Sequence, residues 1–530
     1  MNYFQSMPRS KKVVYLLTLL YLLPFFILLM ANAILSILQT TYMELYQDTE
    51  KPLYKSDHPL LLIILAFIFV ICLTIFFKKH PITPKTCSHF EWFSLIWSFA
   101  LSLFIVFLFR VRVACDSSQL SDIAIEFLNG NYSSLTGDGY LVHYPHQLGM
   151  IALLEIVYGI FGIENFIVMQ FLNVFSIVST VYFLHRISDE MFHNSRVQIT
   201  LSILCVGILP LYLYATFIYG DIPSLGLAAP AIYYVLRYLN TSKKAYAIPA
   251  VVFMTLSIQL KSNSTIFLVA AIIILLLHMF SKKDKFALLF AVLLIGVPYI
   301  TGNALNACYA HAAGMDHIPS GIPKIAWVAM GLQSNDYIEN GWYNSYNWDI
   351  YTQNNYDVTA TTDACISSIR QSVSELVSHP KTGLNFFYKK FISQWNDPGY
   401  QSQITIEWYS RHRDDQSGLA LYLIYGNGRL ILEALMNFYH FTILLGSTVF
   451  AFHSIKKHEL TDAFLPLCVF GGYFFHLIWE AGGRYGLCYF VLCLPMAAWG
   501  FGKLTELCTR LLNQRANLPH QGTKVTDSNP

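Results

Sequence analysis

Twelve residues, spread over five short stretches, are of the types that one group-transfer reaction would use. "FRVRVACDSSQLSD" (109–122) carries Asp116 and Asp122, with Gln119 between them at three-residue steps that a helix would bring near one face. "DGYLVHYPHQLG" (138–149) gathers His143, Tyr144, His146 and Gln147 just ahead of an apolar run. "YGDIPS" (219–224) supplies Asp221, with Pro223 suited to opening a helix. "QLKSNS" (259–264) supplies Lys261 and Asn263, and "WEAGGRYG" (479–486) supplies Glu480, Arg484 and Tyr485. Acids beside cations at a lipid surface suit transfer of a group from a lipid phosphate. A carboxylate such as Asp116 would take the proton of an acceptor hydroxyl as that oxygen attacks an anomeric carbon. Lys261 and Arg484 would hold the departing phosphate, whose charge grows during the reaction. Histidine, tyrosine and asparagine would bind sugar hydroxyls. The residues alone leave open which of Asp116 and Asp122 is the base. Taken singly, each residue reads as well as a polar loop or a cation snorkelling at a helix end.

The elements that must position these residues are membrane spans. The chain has 530 residues, 55% hydrophobic and only 12% charged, where a soluble chain carries roughly a quarter charged. Apolar runs predict about twelve spans: 13–36, 59–77, 93–109, 164–184, 198–217, 222–239, 245–260, 264–281, 286–305, 434–453, 462–479 and 485–502. The first run is long and lacks a small-residue cleavage site, so it is expected as a retained span rather than a signal peptide. The run 148–162 has 15 residues, about 22 Å as a helix, short of the ~30 Å hydrocarbon core. The fold expected is an all-α polytopic membrane protein with a juxtamembrane helix on its outer face.

Basic residues set the orientation. With the N-terminus inside, Arg9/Lys11/Lys12, Lys78/Lys79/Lys85, Arg186/Arg196, Arg237/Lys243/Lys244, Lys282/Lys283/Lys285 and Lys456/Lys457 all face the cytoplasm. The short outer loops keep only Lys51, Lys55, Arg110, Arg112, Lys261 and Arg484. This division holds only if 148–162 does not cross, so that run is expected to lie on or dip into the outer leaflet. The protein is then a multi-pass protein of the plasma membrane with both termini cytoplasmic, and all five chemistry-bearing stretches share one leaflet. Ionisable groups at that depth are costly unless paired or used.

Four regions follow: a transmembrane domain over 1–305 with a large outer loop at 110–163, a smaller extracytoplasmic domain over 306–433, C-terminal transmembrane helices over 434–505, and a cytoplasmic tail over 506–530. Residues 337–409 are dense in Trp and Tyr, which reads equally as a small core with interface-anchoring rings or as a surface that stacks on sugar faces. Ten Cys are scattered without a CxxC, and Cys308 and Cys365 could pair if their segment faces an oxidising space. A net charge of +2 with no basic cluster among aromatics gives no sign of nucleic acid as a partner.

In order and topology the chain resembles the polytopic glycosyltransferases of the C superfamily: protein O-mannosyltransferases, the aminoarabinose transferase of lipid A and related polyprenyl-phosphate-sugar enzymes. Asp116 stands at their acidic position in the first large outer loop, and "HYPHQLG" (143–149) stands for their "HPPLGK"-like stretch. "IYGDIPS" (218–224) matches a "LLDAP"-like turn, and "WEAGGRYG" matches a late "E…RY". Departures are two spans instead of one before the acidic loop, no Lys after the Gly of "HYPHQLG", and an acidic pair spaced as Asp116/Asp122 rather than adjacent. The stretches "GWYNSYNW" and "KKFISQWNDPGY" look most like Gram-positive cell-envelope members. The resemblance implies an inverting single displacement on the outer face, Asp116 as general base, a polyprenyl-phosphate-sugar donor, and a glycan, lipid or protein acceptor. No cofactor is implied. Asp116, Asp122 and Asp221 are of the type that could hold a hard cation, but no metal motif accompanies them. Two other classes compete. A transporter or flippase of envelope precursors would place its charges near the bilayer midplane and show related halves, and neither is present. A non-catalytic envelope-assembly subunit would tolerate loss of Asp116.

Overall fold

The computed structural model describes residues 8–46, 49–335, 337–411, 413, 415–457 and 459–516. It opens with α1 (Arg9–Leu38), the hairpin β1 (Gln39–Tyr46) and β2 (Thr49–Ser56), α2 (Pro59–Lys79), α3 (Pro84–Phe109), α4 (Asp116–Leu128) and α5 (Leu148–Phe161). Then come α6 (Phe166–Phe192), α7 (Ser195–Gly207), α8 (Asp221–Thr241), α9 (Ala247–Leu260), α10 (Thr265–Lys282) and α11 (Phe286–Ala312). Short helices α12 (Ile325–Gly331), α13 (Tyr346–Gln353), α14 (Val358–Ser378), α15 (Pro380–Trp395), α16 (Ser402–Ser410) and α17 (Gly418–Ile424) precede α18 (Asn427–Lys457), α19 (Leu460–Ile478) and α20 (Gly483–Ala516). Several starts are written locally. Pro59 and Pro84 open helices where a missing N–H costs nothing, and the Thr83, Asn194 and Asp357 side chains accept from the first free N–H groups.

Among the described residues nine helices are long and apolar enough to cross a membrane, or ten if α7 and the helical turns at 209–216, bent by 52°, make one span. The expected count of twelve is therefore not reached. The two remaining runs do form helices. Segment α8 has 21 residues but carries Asp221, Arg237 and two prolines and is mostly buried between α6 and α9, so its surroundings are protein rather than lipid. Segment α9 has 14 residues, about 21 Å long. The run expected as a juxtamembrane helix is likewise a 14-residue helix, α5, packed against α4.

Residues that follow the helix ends at 38, 109, 216, 260, 312 and 478, namely Glu50, Cys115, Tyr219, Lys261, Ser320 and Trp479, surround one opening. Close approach there is enforced by glycine. A Cβ at Gly149 would run into the Gln259 carbonyl, and one at Gly220 into that of Leu260, so α5 and the start of α8 both sit directly on the end of α9.

The hairpin is the one sheet among the described residues and departs from the all-α expectation. Its strands pair antiparallel from Gln39↔Ser56 to Tyr46↔Thr49. "TTYMELY" is rich in β-formers, and partners distant in sequence hold it: the Thr41 N–H donates to the Asn396 carbonyl at 3.0 Å, and Arg429 donates to the Met43 carbonyl at 2.9 Å. Segment 306–433 is helical and shares a small core with the loop before α5, in which Val142 packs with Ile322, Ala326, Ala329, Tyr351 and Cys365. Cys365 is buried there and Cys308 is exposed on α11. Both are free thiols, so the pairing allowed by the sequence is not made. Helix α20 continues to Ala516 through the start of the expected tail, whose residues 517–530 lie outside the described ones.

Candidate functional site

A cavity of about 1290 Å³ opens where the helix ends meet. Asp116, His143, Tyr144, His146, Gln147, Lys261, Asn263, Glu480, Arg484 and Tyr485 all line it. These ten residues come from four segments that together span more than 300 positions, and the fold brings them to one place.

Asp116 occupies the first turn of α4 and is exposed to the cavity. The residue before it, Cys115, has φ +50°, and the Ser117 hydroxyl donates to the Ala114 carbonyl at 2.8 Å. This tight entry starts the helix directly beneath the cavity, with the helix N-terminus favouring the carboxylate. Asp122 is exposed on another side of α4 and does not line the cavity. The reason is geometric. Three-residue steps fall about 60° short of a full turn each, so two steps leave Asp122 about 120° away from Asp116. Of the two acids, Asp116 is the one that lines the cavity.

Lys261 and Arg484 face the cavity on a frame of rings. The Lys261 Nζ lies 4.3 Å from the Tyr219 ring centre and 5.7 Å from that of Tyr485, and the Arg484 guanidinium lies 5.5 Å and 5.2 Å from the same two rings. Lys261 has one carboxylate partner, Asp221, at 3.1 Å. Asp221 lines a small adjoining void of about 30 Å³ behind Lys261 rather than the main cavity, so it serves as a counter-charge. Burial lowers the Lys261 pKa, and Asp221 opposes that.

Acids on the far side are pushed toward neutrality. Burial raises the Glu480 carboxyl to about 7 against the pull of Arg484, while the Tyr485 hydroxyl donates to it at 3.1 Å. A buried amine supports its loop. The Lys390 Nζ donates to the Trp479 carbonyl at 2.7 Å and to that of Gly331, and burial lowers its pKa to about 7. Desolvation by its neighbours and the charges of Lys261 and Lys324 lower the pKa of His146, whose side chain is exposed at the cavity. His143 is fully buried, with its ring 3.3 Å from the centre of Trp348 and its nitrogens facing the Gly139 carbonyl and the Thr352 hydroxyl, both at 3.2 Å. It acts as a strut for the wall.

Two site residues were not anticipated. Glu50, on β2, lines the cavity, and burial raises its carboxyl pKa against Arg484. The Gln401 side-chain amide donates to Glu50, and its carbonyl oxygen accepts from the Arg484 backbone N–H at 2.7 Å. Asp397 in turn accepts from the Gly399 and Gln401 N–H groups at 2.9 and 2.7 Å and so shapes the turn. Only the first strand carries a local signal, in the β-formers of "TTYMELY" (40–46), and "NDPG" (396–399) carries a turn signal. Among the described residues no three His, Cys, Asp or Glu side chains gather as a metal site would require, and Asp116, Asp122 and Asp221 are held apart.

Residues 146–301 match the family model of dolichyl-phosphate-mannose-protein mannosyltransferase. No curated protein matches the chain. The matched stretch runs from His146 past Asp221 and Lys261 into α11, and it supports a membrane glycosyltransferase of the C superfamily. Asp116, the hairpin, Glu480 and Arg484 lie outside it.

Proposed function

We propose that the protein moves a sugar from a polyprenyl-phosphate donor to an acceptor hydroxyl at the outer face, with Asp116 as general base. The observation that carries this reading is that one cavity holds an accessible carboxylate, Asp116, together with two ring-mounted cations, Lys261 and Arg484. The same cavity extends between α10 and α19 along Ile266, Val269, Ala270 and Ile273 on one side and Leu467, Phe470 and Phe474 on the other. The α10 positions repeat at helical spacing and form an apolar trough suited to a polyprenyl chain.

With the phosphate on Lys261 and Arg484, the anomeric carbon sits between them and Asp116. Asp116 takes the acceptor proton as the acceptor oxygen forms its bond to the anomeric carbon. The bond from that carbon to the phosphate oxygen breaks with inversion, and the polyprenyl phosphate leaves with one more negative charge, which Lys261 and Arg484 meet. The family match supports the donor class. Asp116→Asn keeps the shape and removes the base, so transfer from a radiolabelled polyprenyl-phosphate sugar should fall by about 10²–10⁴-fold at normal membrane levels. Unchanged transfer would remove Asp116 from this role.

A further inference from the structure

We propose that the cavity wall built by 140–147, 320–327 and 338–348 is an acceptor subsite for a neutral carbohydrate chain. This proposal rests on the transferase reading, because it assigns that reaction its acceptor class.

The wall is a connected aromatic surface. Ring centres lie 5.1 Å apart for Tyr140 and Tyr144, 5.7 Å for Tyr144 and Trp348, and 6.1 Å for Tyr144 and Trp327. Tyr343 also lines the cavity and is 46% exposed. An unmet donor sits among these rings. Asn347 is 1% exposed and lines the cavity, and its Oδ1 accepts from the Trp348 N–H at 2.9 Å, while its Nδ2 has no partner. A buried amide N–H without an acceptor is costly, so a ligand oxygen there is favoured.

Charge selects the ligand class. Among the described residues, Lys324 is the only Lys, Arg, Asp or Glu that this wall contributes to the cavity. A polyanionic polymer would find one cation, too few for repeated phosphates or carboxylates. Sugar rings fit better, since their C–H faces stack on aromatic faces and their hydroxyls reach amides such as Asn347. An extended peptide would instead need backbone partners of the kind a strand edge provides, and this wall is made of rings. The cavity volume also exceeds the usual 300–1,000 Å³ of a single small-ligand pocket, which leaves room for an acceptor beside the donor head.

The test uses the full chain in lipid nanodiscs and saturation-transfer NMR. Probes are the tetrasaccharides of glucose, mannose and N-acetylglucosamine, a Ser/Thr-rich peptide, and poly(glycerol phosphate). At least one tetrasaccharide should bind. Tyr343→Ala should weaken it about tenfold, with recovery in Tyr343→Phe. Asn347→Asp, which keeps the oxygen facing the Trp348 N–H but loses the donor, should also weaken it about tenfold. Failure of all three tetrasaccharides, binding indifferent to both variants, or preference for the peptide or the polyanion would overturn the assignment. Donor turnover in the same preparations separates the two ideas. Turnover without glycan binding overturns only the acceptor class, whereas glycan binding without any donor turnover sinks the transferase reading and leaves the wall as a glycan site.

Discussion

Two sets of ionisable residues at opposite ends of the helix bundle are held differently. At the end holding the basic loops, the arginines of α6 and α8 are closed into pairs. Arg186 bridges to Glu91 and Arg237 to Glu190, while His185 is held between Ser94 and Gln198 at 3.1 and 3.0 Å. At the cavity end Arg484 rests on two tyrosine rings and donates its backbone N–H to Gln401, and Lys261 shares its rings with a single carboxylate. The nearby Glu480 carboxyl, raised to about 7 by burial, offsets these cations less than a fully ionised carboxylate would. A closed pair joins helices. Cations left partly uncompensated at a cavity have capacity for an anion that arrives from outside.

The sharpest way to break this contrast is to remove one of those cations. Arg484→Gln retains a hydrogen-bonding side chain and leaves the backbone N–H on Gln401, so the fold is expected to hold. If Arg484 meets the charge developing on the leaving phosphate, kcat should fall by about 10²–10³-fold, the scale of losing one preorganised charge stabiliser. Because that charge grows in the transition state, KM should change much less. A rise in KM alone would make Arg484 a ground-state binding residue and weaken the comparison.

The cavity end was legible in the sequence only where local rules decide position. Apolar runs and the asymmetry of basic loops place Asp116, Lys261, Glu480 and Arg484 at one level, because helix ends follow from hydropathy and direction alternates. Other features depend on partners far along the chain. "QDTEKPLYKS" (47–56) reads as an ordinary polar loop, yet the hairpin becomes a cavity wall because Asn396 and Arg429, more than 300 positions away, bind its first strand. The run 222–239 reads as a lipid-facing span, but its polar residues suit the interior of the bundle that it occupies. Asp122 was misplaced for a simpler reason, because steps of three drift around a helix and the drift doubles over two steps.

The hairpin sharpens the contrast with a smaller effect. Glu50 holds the Arg484 backbone through Gln401 and also feels the Arg484 charge, which makes it a positioning residue. Glu50→Ala strands the Gln401 amide and frees the turn, and should lower kcat/KM about tenfold, near 1.4 kcal/mol. Glu50→Gln still offers a carbonyl oxygen to that amide and should recover most of the loss. Equal losses in both variants would show that the carboxylate charge itself is used.

The smallest effect on transfer belongs to the opposite end. Glu190 is buried and accepts from Arg237 at 2.5 Å and from the Asn240 side chain at 3.1 Å, and Arg237 also donates to the Tyr246 hydroxyl at 3.1 Å. Glu190→Gln keeps an acceptor but removes the compensating charge. The Arg237 side chain is about one-third exposed, so water takes up part of the difference, and the expected cost is about 1 kcal/mol of stability. Thermal unfolding in detergent should shift down by a few degrees while kcat/KM stays within about twofold of the parent. A loss of transfer comparable to that of Arg484→Gln would mean that the pair governs the cavity from the far side of the bundle, and the division between structural and ligand-facing charge would fail.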